Sequence, residues 1–175
     1  MTYKDILLRA PEPEDLELLY EWENNIEYWQ ISNRVTPFSK YVLKRHIETS
    51  HRSIYENGQL RLMIDTLNEG KTIGTIDLFD FDPYHSRAGV GILIAIKEER
   101  RKGYASMAIE CLKNYCFETL RLNQLWCNIV ETNHASIDLF SSAGFVKSGT
   151  RREWIRSGEE YLDQIFMQLI RSDDV

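Results

Sequence analysis

Apolar positions along this chain recur with two periods, one suited to strands and one to helices. The run Val90-Gly91-Ile92-Leu93-Ile94-Ala95-Ile96 is nearly continuous, β-branched and of strand length, which predicts a strand buried on both faces. Ala105, Ala108, Ile109, Leu112 and Cys116 then recur at helical spacing up to about Leu120, one apolar stripe along a helix. Nearer the start, Ile6-Leu7-Leu8-Arg9 followed by Pro11-Glu12-Pro13-Glu14-Asp15-Leu16 predicts a first strand, a turn and a helix whose Leu16, Leu18, Leu19 and Trp22 face a core. A second helical stretch covers about 39–55, with Ser39 as N-cap and Asn57-Gly58 as its stop. Residues 60–65 and 72–81 read as strands joined through Asn68-Glu69-Gly70, a hairpin signal. Gln124-Leu125-Trp126-Cys127-Asn128-Ile129-Val130 is strand-like, and 145–156 and 159–170 form two more strands around Ser157-Gly158. The segment from about Asn24 to Phe38 is expected to be a loop. The sum is a single α/β domain over 1–175, with a mixed, largely antiparallel sheet of about seven strands and helices on both faces.

Composition narrows the biology. At 175 residues and 43% hydrophobic content the chain suits one globular domain with a full core. It has no apolar stretch of membrane-spanning length and no charged-then-apolar start, so a cytoplasmic location and no membrane partner are expected. A net charge of −6 argues against nucleic acid as a partner and is compatible with a cationic substrate. Cys111, Cys116 and Cys127 fall on apolar faces without metal-ligand spacing, which predicts buried reduced thiols. His46, His51, His85 and His134 are scattered and form no ligand pair, so no metal site is expected. A homodimer or higher oligomer through a sheet edge or the C-terminal hairpin is compatible with the sequence, but no feature specifies it.

Between the apolar strand at 90–96 and the helix after it stands Arg100-Arg101-Lys102-Gly103-Tyr104-Ala105. A helix N-terminus has unsatisfied N–H groups and partial positive charge, and Gly103 lets backbone approach a ligand closely. Three cationic side chains add to this, so the turn is suited to a pyrophosphate. It lacks the three glycines of a dinucleotide fingerprint and the Gly-Lys-Ser/Thr of a P-loop.

Arg100-x-x-Gly103-x-Ala105 resembles the Gln/Arg-x-x-Gly-x-Gly/Ala motif of the GNAT superfamily, the acyl-CoA-dependent N-acyltransferases. A second segment, Asn133-x-x-Ser136-x-x-x-Phe140-x-x-x-Gly144-Phe145, is similar to the family's helix after the fifth strand, which lies against pantetheine. As a plain helix it is also well formed, with Asn133 as N-cap and Gly144 as C-cap. The resemblance covers nearly all of the chain. It implies acetyl-CoA as acyl donor, with pyrophosphate held at Arg100, Arg101, Lys102, Gly103, Tyr104 and Ala105. Pantetheine would lie along the backbone of Ile94, Ala95 and Ile96 and against Asn133, Ser136 and Phe140. Trp22-Glu23-Asn24-Asn25-Ile26-Glu27-Tyr28-Trp29 and His85-Ser86-Arg87-Ala88 are similar to segments of bacterial spermidine (diamine) N-acetyltransferases. The first of these also resembles ribosomal-protein alanine N-acetyltransferases.

The implied reaction is acetyl transfer to a primary amine of a small molecule such as spermidine, or to a peptide N-terminus, by direct attack with both substrates bound. Glu23, Glu27 and Asp82, among the acidic residues bordering the implied acceptor groove, are candidates to attract the cation. The chain departs from the family pattern twice. Phe140 stands where many relatives carry a tyrosine that protonates the leaving thiolate, and Ala88-Gly89 stands where many carry Ala-Glu. Asp80 or His85 acting through water are the candidate bases, and Tyr104 or Tyr161 the candidate donors. The same two departures suit a catalytically silent CoA-binding or sensing module as the alternative.

Overall fold

The computed structural model describes residues 1–32 and 35–171. Its strands are β1 (Thr2–Tyr3), β2 (Ile6–Arg9), β3 (Leu60–Thr66), β4 (Thr72–Asp82), β5 (Arg87–Ile94), β6 (Gln124–Val130), β7 (Val146–Ser157) and β8 (Glu160–Ile170). They form one sheet in the order β1-β2-β3-β4-β5-β6-β8-β7. Every neighbouring pair is antiparallel except β5 and β6, which run parallel. The eighth strand, beyond the seven expected, is the two-residue β1, which turns at Lys4-Asp5 and pairs back on β2.

The helices are α1 (Leu16–Glu23), α2 (Ile26–Ser32), α3 (Lys40–Thr49), α4 (Ile54–Asn57), α5 (Tyr104–Asn114) and α6 (His134–Ser142). Alternation along β3 assigns them to two faces. Met63 packs with Leu19 and Trp22 of α1 and Leu43 and Ile47 of α3. Leu62 and Ile64 point the other way, into a core shared with Ala108, Ile109 and Leu112 of α5. The stripe expected up to Leu120 is helical to Asn114 and then widens into a π turn over Tyr115–Thr119, with Cys116 buried beneath it. Cys111, Cys116 and Cys127 are free thiols, all buried.

Three expectations need correction. The strand expected over 90–96 and buried on both faces instead runs from Arg87 to Ile94, and its residues from Gly91 on are half-buried. The stretch 39–55 is not one helix. Ser39 caps α3 by accepting the Val42 N–H at 3.2 Å, but α3 ends at Thr49. A new N-terminus then forms at Ser53, which exchanges a capping box with Glu56 before Gly58 turns left-handed at φ +67°. The expected loop 24–38 contains α2, whose buried Tyr28 donates its hydroxyl to the Ala95 carbonyl at 3.0 Å. Among the described residues no helix is long and apolar enough to cross a membrane, and no cluster of side chains suits a metal ion.

Candidate active site at the splay between β5 and β6

The parallel ladder between β5 and β6 covers only Arg87, Ala88 and Gly89 opposite Gln124, Leu125 and Trp126. Beyond it β5 stays with β4 and β6 stays with β8, so the two strands part. The end of β5 is also bent. Ala95 and Ile96 both donate to the Ile73 carbonyl, at 2.9 and 3.2 Å, two residues opposing one as in a bulge. The Ala95 bond makes Gly74 and Ile94 a non-hydrogen-bonded pair, and alternation makes Ile76 and Ile92 another. The N–H and C=O groups of Ile92 and Ile94 therefore turn away from β4 and into the wedge. Of the three residues expected to present backbone to pantetheine, Ile94 faces the wedge, whereas the amides of Ala95 and Ile96 are engaged by Ile73.

A cavity of about 400 Å3 fills the splay and extends onto the face covered by α1 to α3. On that face Arg61, Asp77 and Gly91 are successive cross-strand partners. Arg61 grips Asp77 with two bonds of 2.8 and 2.9 Å and donates a third to the carboxylate of Glu23, the last residue of α1. Burial and the Arg61 charge push the nearby His46 imidazole below its ordinary pKa, against the opposing pull of Asp77 and Glu23. Gly91, without a side chain, leaves the space beside Asp77 open. At Gly89 the space is taken: a Cβ there would lie 2.4 Å from the Phe79 ring, which packs edge-on against Trp126 at 5.0 Å.

At the far end of β5 the chain makes a single 3-10 turn over Lys97–Glu99 and then a cationic turn. Arg101 and Gly103 are both left-handed, at φ +62° and +87°, and Gly103 opens α5. The first-turn amides of α5, from Tyr104 and Ala105 on, have no acceptor within the helix. Arg101 is exposed, Lys102 pairs with Glu99 at 2.8 Å, and the Tyr104 side chain packs against the core. The Arg100 guanidinium turns back to Ile94 and Tyr28. On the opposite side of the wedge, Asn133, Ser136 and Phe140 share one face of α6 and line the cavity. Asn133 caps α6 by accepting the Ser136 N–H at 3.2 Å, and buried Phe140 meets Phe145 edge-on at 5.0 Å.

The other sequence candidates fall elsewhere. Asp80 and His85 are exposed and outside the cavity lining, so the structure does not bring either candidate base to it. Asp80 is an odd number of residues from both Asp77 and Phe79, so alternation does not place it on their face, and it lies within the bulge between Phe79 and Asp82. Asp82 closes the β4–β5 turn by accepting from the His85 amide at 2.9 Å and from Arg87 at 3.2 Å. Glu27 is exposed and paired with Lys97 at 2.8 Å, and Tyr161 is exposed at the start of β8. Sequence reasoning missed Tyr28, Arg61 and Asp77. The last two carry no simple signal, because next to the hairpin turn Asp65 opposes Thr72 and only the register shift between Ile64 and Asp65 brings Asp77 opposite Arg61.

A largely antiparallel sheet with one splayed parallel pair, a cationic turn opening a helix beyond it and a second helix across the wedge together form the arrangement that the resemblance implies for an acyl-CoA-dependent transferase. Residues 5–146 match the family described as Acetyltransferase (GNAT) domain, and the chain belongs to that family. It is 25% identical over 170 residues to the spermidine N(1)-acetyltransferase of Vibrio cholerae serotype O1, covering 95% of this chain and 94% of that one. It is 27% identical over 169 residues to the uncharacterized N-acetyltransferase p20 of Bacillus licheniformis, covering 96% and 94%. Among solved structures it is similar to Vibrio cholerae spermidine N-acetyltransferase in complex with CoA and spermine, with a TM-score of 0.85, 24% identity and 95% of each chain covered. The protein is an N-acetyltransferase that uses acetyl-CoA.

Proposed function

We propose that this enzyme acetylates a primary amine of a polyamine such as spermidine, with both substrates bound at once. The observation that carries this reading is the continuity of the cavity from the β5–β6 wedge to a wall bearing Glu23 and Asp77. A donor chain and a cationic acceptor can meet there without either leaving the protein. The acceptor activity named for the Vibrio cholerae relative supports the polyamine class.

Acetyl-CoA supplies an activated acetyl thioester. The amides of Ile92 and Ile94 would hold its extended arm as a neighbouring strand would, with Asn133, Ser136 and Phe140 on the other side. Arg101, Lys102 and the amides of Gly103, Tyr104 and Ala105 would take the pyrophosphate. Glu23 and Asp77 attract the acceptor's ammonium, and Arg61 keeps both carboxylates in place. An alkylammonium with a pKa of about 10.4 is almost wholly protonated at neutral pH, so a proton must leave before the nitrogen can attack. Among the described residues lining the cavity, Glu23 and Asp77 are the carboxylates that could take it, directly or through bound water. Phe140 has no proton to give, and a thiol of pKa about 8.5 is acidic enough to depart without one.

The test is thiol release from acetyl-CoA with spermidine, spermine, putrescine and short peptides bearing free N-termini. Turnover should be fastest on the polyamines and fall in Glu23→Gln and Asp77→Asn. Preference for the peptides would replace the polyamine reading with protein N-terminal acetylation, and CoA binding without turnover on any acceptor would remove both.

A further inference from the structure

We propose that Arg100 is a positioning residue that holds the acceptor wall against the donor strand. The proposal rests on the amine-transfer reading above. Arg100 heads the cationic turn, yet its side chain runs away from Gly103. Its Nε donates to the Ile94 carbonyl at 2.9 Å and its Nη2 to the Tyr28 hydroxyl at 3.0 Å. The guanidinium carbon also lies 5.7 Å from the Tyr28 ring centroid, within cation–π range. Tyr28 passes its own hydroxyl proton to a hydrogen bond with the Ala95 carbonyl at 3.0 Å. It is buried and lines the cavity.

The consequence is a closed circuit. Ile94 belongs to the strand whose amides face the wedge, Tyr28 belongs to α2 on the acceptor side, and one guanidinium joins them. A planar fork can serve two acceptors in different directions and cover a ring, which a single ammonium does poorly. The neighbouring Glu27–Lys97 pair links the same two segments, but both partners are well exposed and such pairs contribute little. Arg100 is also adjacent to left-handed Arg101, so the backbone that would receive pyrophosphate is continuous with the residue that holds Tyr28.

The experiment compares Arg100→Ala, Arg100→Lys and Tyr28→Phe by three readouts: acetyl-CoA affinity by titration calorimetry, steady-state kinetics with spermidine, and amide hydrogen exchange over Ile26–Ser32. In Arg100→Ala the amine KM should rise about tenfold, as for loss of one charge-assisted hydrogen bond. Acetyl-CoA affinity should change less than about threefold, and exchange in α2 should accelerate in the free protein. Tyr28→Phe should show the same pattern, the double variant should be no worse than the larger single effect, and Arg100→Lys should recover part of the loss. A tenfold or greater loss of acetyl-CoA affinity with unchanged amine KM and unchanged exchange would overturn the proposal and make Arg100 a pyrophosphate ligand. Multiplicative effects of the two single variants would overturn it as well. If no amine supports turnover, the amine-transfer reading fails, while exchange and calorimetry still decide the role of Arg100.

Discussion

The two walls of the cavity are built by different means. The wall of β5 and β6 offers main-chain groups, and α6 adds three side chains spaced along a single helix face. The wall under α1 to α3 is made by charged side chains that come from separate elements: Arg61 meets Asp77 across a strand pair and Glu23 from 38 residues away. Main-chain groups present the same donors whatever the side chains are, which suits a donor molecule shared by a whole family. A wall of side chains can be rewritten residue by residue, which suits the proposed role of selecting the acceptor.

Removing the guanidinium is the most severe way to break this contrast. Arg61→Met leaves the Glu23 and Asp77 carboxylates close together in a partly enclosed site, and should lower the free energy of unfolding by about 3 kcal/mol in urea titrations. Adding Glu23→Gln and Asp77→Asn should restore most of that loss, since the uncompensated charges go with it. Acetyl-CoA affinity should stay within about twofold in the triple variant, because no wedge group is touched. A parallel loss of acetyl-CoA binding would show that the walls are not separable.

Gly89→Glu tests where they meet. The new side chain must displace the Phe79 ring from Trp126, at about 2 kcal/mol of stability by thermal or urea unfolding. Combining it with Phe79→Ala should cost less than the sum of the two single changes, because the second vacates the space the first needs. Strict additivity would mean that Phe79 is not what requires glycine at this position.

The same division decided what could be read from the sequence. β6 was legible to the residue because seven positions alternate in burial between turns, and the C-terminal hairpin was legible to within a residue or so at each end. The Asn133, Ser136 and Phe140 set was legible through the segment's resemblance to a family motif, whose spacing a helix places on one face. The short helix Ile26–Ser32 was not, since Tyr28 is secured by Ala95, 67 residues away, and no local period announces that contact. The position of Asp80 relative to the cavity was not legible for a related reason. Acidity could be counted along β4, but which face of that strand borders the cavity is set by its pairing with β3 and β5 and by the helices that cover it. The turn at 100–105 was legible as a charge pattern, while the direction of the Arg100 side chain depended on a tyrosine from another element.

A smaller effect distinguishes the two departures from the family pattern. Phe140→Tyr adds one hydroxyl on a buried ring that lines the cavity. If thiolate departure limits the rate, kcat should rise about tenfold at neutral pH, with little change in either KM. An unchanged kcat would assign the limiting step to amine deprotonation or product release, and would make the phenylalanine a packing choice against Phe145.

The smallest expected effect concerns the mechanism itself. Cys127 lines the cavity from β6, close to where a donor arm would lie, and a two-step route through an acetylated cysteine would use it. Its chemistry argues otherwise. Burial pushes the Cys127 thiol from 9.0 up to about 12, so at pH 8 only about one molecule in ten thousand carries the thiolate that such a route needs. Direct attack by the amine needs no thiol at all. Cys127→Ala should therefore keep kcat within about twofold, and initial-rate patterns with both substrates varied should intersect rather than run parallel. Collapse of turnover in this variant, together with parallel lines in the wild type, would transfer the first step of the reaction to β6 and leave the carboxylates of the opposite wall with acceptor binding alone.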